Sequence, residues 1–260
     1  MLILVSHEMK TPLSIITSSI QTVEILCKND LTDIVRKYLN KIKQNSYRQL
    51  KLVNNILDNT RLDSGIFRMN KVGTDIVQLT RTIIDSISVF AERKDVNITF
   101  QSTLKHSVIQ TDVDVYERIL LNLLSNAVKF TPEGKSIEVS IFQMVAKGKQ
   151  QVCIRVKDNG IGIPNDQKEL IFERFGRVTR NAVRHSEGTG IGLYLVKMLV
   201  SLLDGEIKLE SKEGVGSTFS LVFPLITAEK TVLEPTKCDK SGEQLLTASA
   251  IEFSDIYFGA

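Results

Sequence analysis

Leu2, Val5, Met9, Leu13, Ile16, Ile20, Val23 and Cys27 follow one another at intervals of three and four residues, with almost no break in the alternation. Spacing of that kind keeps a single apolar stripe along an α-helix and is incompatible with the two-residue period of a strand. After the polar turn KNDLTD a second stripe runs through Val35, Leu39, Ile42, Ser46, Leu50, Val53, Leu57 and Thr60. Two antiparallel helices are predicted, closed near Gly65, which suits a left-handed helix cap. A lone hairpin buries little, so two copies packed as a four-helix bundle are the economical solution. The alternative is a bundle completed by residues upstream of Met1.

The period changes from about Met69. A helix is predicted over Val77 to Lys94, strands at Asn97 to Gln101 and Ser107 to Thr111, and a long helix to Lys129 capped by Asp112 or Asp114. SIEVSIFQMVA and QVCIRVKD alternate about a KGKQ turn and read as a hairpin. A Gly-rich loop, an irregular helical stretch, a second Gly-rich loop and a helix at Ile191 to Leu203 follow. The strands EIKLES and STFSLVF, joined by an EGVG turn, close the unit. The expected class is α+β: a helical hairpin forming a dimeric bundle, then a two-layer α/β sandwich. The domain limits read as 1–66, 70–227 and a tail or linker at 228–260, in which Ile251 to Phe258 keeps enough apolar residues to dock.

Three clusters point to chemistry. His7 stands two positions from both Val5 and Met9, so at 100° per residue it faces away from the stripe and is expected to be exposed. Thr11 lies one turn on, on the same face, and Glu8 is adjacent. A neutral imidazole has a free ring nitrogen for nucleophilic attack, and Glu8 can accept from the other and steady the cation that forms. Pro12 removes the partner of the Glu8 carbonyl, at about 3 kcal/mol in a helix interior, so a bend or loosened turn is expected there.

In ERILLNLLSNAVKF, Asn122, Asn126 and Lys129 share a helix face. Asparagine is a poor helix-interior residue, and an amide carbonyl beside a triphosphate suits Mg²⁺, which takes oxygen ligands and shares phosphates. DNGIGI follows a strand, where Asp158 offers an acceptor-only carboxylate to an exocyclic amine such as adenine's and Gly160 and Gly162 permit close backbone approach. EGTGIGL sets Gly188, Gly190 and Gly192 before a helix whose free N–H groups favour phosphate. Residues 164–187, with Arg177, Arg180 and Arg184, read as a lid able to meet phosphate charge. Neither a GxxxxGKS nor a GxGxxG sequence occurs, so the site is not of the Walker or Rossmann kind.

Taken in order, SHEMKTPL, NLLSNAVKFTP, DNGIGI, IFERF, EGTGIGL and EGVGSTF resemble the phosphoacceptor, asparagine, glycine and phenylalanine boxes of sensor histidine kinases of two-component systems. The resemblance spans residues 4–225 and implies a phosphoacceptor hairpin followed by an ATP-binding domain of the gyrase, chaperone and kinase superfamily. It makes His7 the phosphorylated residue, Glu8 its acid/base partner and Asn122 the magnesium ligand. It assigns Asn126, Lys129, Phe130, Ile163, Phe172, Arg177, Thr189, Leu193 and Thr218 to nucleotide binding together with Asp158 and the five glycines 160, 162, 188, 190 and 192. The pattern His-Glu-x-x-Thr resembles the phosphatase-competent version, in which Thr11 orients a water. Met9 and Lys10 depart mildly from leucine and arginine. ATP and Mg²⁺ are the implied cofactors, and a second copy and a response-regulator receiver domain the implied partners.

Composition limits the alternatives. With 33 basic and 30 acidic side chains interspersed, net +3, no basic stripe invites nucleic acid. No run approaches the ~20 apolar residues of a membrane helix, and Cys27, Cys153 and Cys238 lack metal or redox spacing, so a reducing, cytoplasmic setting is expected. Only six residues precede His7, whereas the family's first helix continues upstream; a cytoplasmic core, a fragment of a membrane-anchored kinase or a kinase without its own input is expected. A phosphatase-biased or non-catalytic nucleotide-binding scaffold is the alternative to a kinase. An ATPase clamp is disfavoured because the helical seam precedes the nucleotide motifs.

Overall fold

The fold is that of a computed structural model, which describes residues 2–146, 148–176, 190–225 and 242–256, with side chains from residue 8 onward. Two compact units result: residues 1–67 with 247–257, and residues 68–246.

In the first unit, α1 (Leu2–Leu26) and α2 (Asp33–Asp63) form the expected hairpin. The KNDLTD turn ends in a cap, where the Thr32 hydroxyl accepts from the Val35 N–H at 3.3 Å. Gly65, at φ +66°, takes the left-handed conformation just past the last turn. Leu13, Thr17 and Ile20 of α1 and Ser46, Leu50, Val53 and Leu57 of α2 are buried between the helices. The rest of the stripe is not: Ile16, Val23, Val35 and Ile42 remain 37–49% exposed. One hairpin covers only half of its apolar seam, because each stripe is wider than a single helix–helix contact. α1 runs past Pro12 as one continuous helix.

The second unit is built from β1 (Val72–Asp75), α3 (Ile76–Glu92), β2 (Asn97–Ser102), β3 (Val108–Thr111), α4 (Val113–Phe130), β4 (Ser136–Ala146), β5 (Lys149–Asp158), α5 (Gly192–Leu202), β6 (Glu206–Lys212) and β7 (Gly216–Pro224). Five strands pair in the order β2-β4-β5-β7-β6, with β2 parallel to β4 and the other pairs antiparallel. α3, α4 and α5 pack together and onto the sheet. Ile83, Ile87, Ile119, Leu120 and Leu199 meet a sheet face of Val139, Ile141, Ile154, Val156 and Leu221, all buried. Of the two candidate caps, Asp112 is the one used: its Oδ1 accepts from the Asp114 and Val115 N–H groups.

Two elements escape the sequence pattern. β1 has four residues and pairs only with β3, too short to show alternation. In the tail, α6 (Gly242–Glu252) is helical where no regular spacing was visible. Its buried positions mix small and apolar residues: Ser249 is fully buried while Ala250 and Ile251 pack on the hairpin core, so no single-residue-type stripe marks it.

Candidate functional site

α4 is the backbone of the site. Its apolar stripe is anchored against the sheet, which turns Asn122 and Asn126 toward the start of α5. Asn122 is 5% exposed, and its Oδ1 accepts from Asn126 Nδ2 at 3.2 Å. That contact orients the Asn122 amide against Asn126, one helical turn on. Gly192 opens α5 directly beside it: a Cβ there would lie 2.7 Å from Asn122 Nδ2. Among the described residues no side chain caps α5, and its first residue sets the helix's positive dipole end beside Asn122.

The end of α4 is pinned from the opposite side. The Phe130 carbonyl accepts from the Ile161 N–H at 3.2 Å, tying the helix to the DNGIGI loop. Lys94, at the end of the α3 connection, donates to the Val128 and Lys129 carbonyls at 2.6 Å each. Burial lowers the Lys94 pKa, with Lys129 adding to the fall and Glu133 opposing it. Lys129 itself lies 5.6 Å over the Phe130 ring.

Asp158 terminates β5 and is 7% exposed. Its Oδ1 accepts from the Gly160 N–H at 2.9 Å and the Ser217 N–H at 3.2 Å. Oδ2 accepts from none of the described residues, so one oxygen holds the loop and the other is directed elsewhere. Burial pushes the Asp158 carboxyl pKa up, and the two N–H groups oppose that shift. Gly160 has no room for a side chain, since a Cβ would sit 2.6 Å from both Asp158 Oδ1 and the Phe130 carbonyl. Gly162, at φ +64°, lets its chain pass against the Lys212 carbonyl. The Ile163 N–H then donates to Ser211 Oγ at 2.8 Å, closing the loop onto β6.

Thr218 is not brought to this cleft. Ser217 is the register partner of Asp158 and Thr218 of Lys157, so the sheet's alternation puts Thr218 on the opposite face. Ser217 stands in its place and reaches Ser211 Oγ at 2.9 Å. The signal was present: Ser217, Phe219, Leu221 and Phe223 form one alternating, inward face. Lys94 and Ser211 carried no such signal, because each acts through a contact distant in sequence.

Phe172 lies in a single 3-10 turn, Leu170–Phe172, edge-on to the Phe219 ring at 6.3 Å. Beyond it the Phe175 N–H donates to the Gly190 carbonyl at 2.9 Å. Gly190, at φ +68°, packs where a Cβ would meet the Phe175 backbone at 2.7 Å. Leu193 lies in the first turn of α5. Arg177, Arg180, Arg184, Gly188 and Thr189 fall outside the described residues.

In the other unit, position 7 lies in α1, with its side chain outside the described residues. Residues 8–12 are all exposed, Glu8 and Thr11 among them. Among the described residues no group of three or more His, Cys, Asp or Glu side chains forms a metal cage, and no helix is long and apolar enough to cross a membrane.

Residues 4–65 match the family described as His Kinase A (phospho-acceptor) domain, and residues 111–227 that of the histidine kinase-, DNA gyrase B- and HSP90-like ATPases. The chain is 34% identical over 223 residues to hybrid signal transduction histidine kinase D of Dictyostelium discoideum, covering 85% of the chain and 14% of that protein. It is 35% identical to the sensor histidine kinase TmoS of Ectopseudomonas mendocina, over 86% of the chain and 23% of that protein. It is 34% identical to the sensor histidine kinase WalK of Bacillus subtilis, over 85% of the chain and 35% of that protein. The chain therefore spans about a third or less of the length of these relatives. Among solved structures, full-length ShkA in complex with AMPPNP superposes with a TM-score of 0.68 at 28% identity, over 87% of the chain and 46% of ShkA.

Proposed function

Since the chain belongs to the sensor histidine kinase family of two-component systems, we propose that it phosphorylates itself on His7 with ATP and passes the phosphoryl group to an aspartate of a response-regulator receiver domain. The hairpin, residues 1–66, is assigned dimerisation and phosphoacceptance, and residues 70–227 nucleotide binding. The observation that carries the reading is the cleft itself: a buried carboxylate whose Oδ1 holds the loop while its Oδ2 accepts from none of the described residues, together with paired amides beside the start of α5.

In this reading Asp158 Oδ2 accepts from the adenine amine, while Oδ1 keeps the DNGIGI loop in place. Asn126, Lys129 and the first turn of α5 receive the phosphates. Asn122 Oδ1 would hold Mg²⁺, whose charge would offset that of the phosphates. One neutral oxygen is a poor site alone, which fits a cation that arrives with the nucleotide. A ring nitrogen of His7 attacks the γ-phosphorus, a P–N bond forms and the bond to the β,γ-bridging oxygen breaks, releasing ADP. Glu8 accepts the proton from the other ring nitrogen as the ring becomes cationic. Positioning and charge neutralisation supply most of the rate in such transfers.

Incubation with γ-labelled ATP tests this. Acid-labile label is expected on the wild-type chain and none on His7→Gln; equal labelling of the two would overturn the assignment. The exposed Thr11, one turn from His7, favours a second activity, hydrolysis of the regulator's phosphoaspartate with Thr11 orienting the water. Thr11→Ala should then lose phosphatase activity while retaining His7 labelling.

A further inference from the structure

The chain returns to its own beginning. After 179 residues of the second unit, residues 247–257 rejoin the hairpin. The end of α6 and the single 3-10 turn Phe253–Asp255 pack against α2. Ala250 and Ile251 lie on the core of Leu13, Tyr47, Leu50, Val53 and Leu57, and Ser249, Phe253, Ser254 and Ile256 are 0–5% exposed.

Polar contacts fix the register. Lys51 Nζ meets Glu252 Oε1 at 3.1 Å and Asp255 Oδ1 at 2.7 Å, and donates to the Glu252 carbonyl at 2.7 Å. Gln44 Nε2 donates to the Ser254 carbonyl at 3.1 Å and to the Ile256 carbonyl at 3.4 Å. The Ser254 hydroxyl turns back to the Ile251 carbonyl at 2.6 Å. Burial alone would lower the Lys51 pKa, but the two carboxylates outweigh it and hold it above the ordinary value. A buried ammonium and a buried aromatic with carboxylates on either side make a specific seat, because a mismatched occupant would leave the ammonium desolvated and unpaired.

We propose that this face of α2 is a peptide-docking site for a short segment with a buried aromatic flanked by carboxylates, and that the chain fills it in cis with its own residues 247–256. The covalent connection makes the occupant intramolecular, which raises its effective concentration at the site above that of any free peptide. A partner segment of the same chemistry gains the site by displacing the tail. With the seat occupied, residues 8–12 of α1 stay exposed. This inference stands whether or not His7 is phosphorylated.

The test uses the full chain and a fluorescent peptide of residues 242–256. A Phe253→Ala chain, whose own tail is weakened, is expected to bind the peptide at least tenfold more tightly than the wild-type chain does, and Lys51→Glu added to it should abolish binding. Equal binding by wild type and Phe253→Ala, or binding by neither, would overturn the proposal. A charge-reversed pair guards against misfolding of Phe253→Ala. A Lys51→Glu chain should prefer the peptide carrying Glu252→Lys and Asp255→Lys over the unaltered one, with wild type showing the opposite preference. Loss of both preferences, with α1 and α2 still protected from hydrogen exchange, would also sink it.

Discussion

Asp158 serves the loop and the proposed ligand with different oxygens, and this division sets what its replacement does. Asparagine keeps an Oδ1 acceptor for the Gly160 and Ser217 N–H groups but turns a donor toward the adenine amine. Asp158→Asn should leave the fold intact and weaken ATP binding by about 1.5–3 kcal/mol, roughly tenfold to a hundredfold by titration calorimetry. Because burial raises the carboxyl pKa, protonation begins at a higher pH than for an ordinary carboxylate. Nucleotide affinity should therefore fall as pH drops through that raised value, and Asp158→Asn should remove this acid-side dependence. Folding stability runs the other way. A folded pKa above the unfolded one contributes stability fully present below the unfolded value and lost as pH rises through the folded one. Gly192 is the second sensitive position. The Cβ of Gly192→Ala would displace the Asn122 amide, so nucleotide affinity should drop without loss of the α1–α2 hairpin, read by ATP-analogue binding alongside circular dichroism.

At the scale of elements, α4 is held at both of its ends. Asp112 closes its start, and Lys94 takes two carbonyls of its last turn from a neighbouring element. Lys94→Met should release that last turn and the Phe130 carbonyl with it, costing on the order of 1–3 kcal/mol of stability by denaturant melting. It should also raise the KM for ATP, since Phe130 and the DNGIGI loop move together. In α1, Pro12 leaves the Glu8 carbonyl without its helical partner in an otherwise unbroken helix. Pro12→Ala should raise the Tm of the hairpin and change the phosphotransfer rate more than it changes dimerisation. An unaltered rate would show that the proline serves α1 only as a tolerated defect.

Within its own unit the hairpin keeps a stripe of its seam exposed while residues 247–256 close another face. Ile16, Val23, Val35, Tyr38 and Ile42 are 37–62% exposed, and a groove between Leu13, Ile16, Tyr38 and Ile42 runs along them. A second copy is the proposed cover, so Ile42→Glu should convert a dimer to a monomer by light scattering while nucleotide affinity is unchanged. Much of this molecule was legible without coordinates. The heptad-like seam specified two helices, the alternating runs specified the β4–β5 hairpin, and the asparagine spacing and the aspartate two residues before Gly160 pointed to the proposed cleft, because each depends on residues close in sequence and on a fixed local period. Other features needed the tertiary structure. Which half of the seam is buried, the choice of Ser217 over Thr218, the grip of Lys94 on α4 and the return of Phe253 to Lys51 all depend on surfaces that meet only after tens to hundreds of intervening residues have folded. Local periodicity fixes which way a side chain points within its element; only packing fixes what it meets.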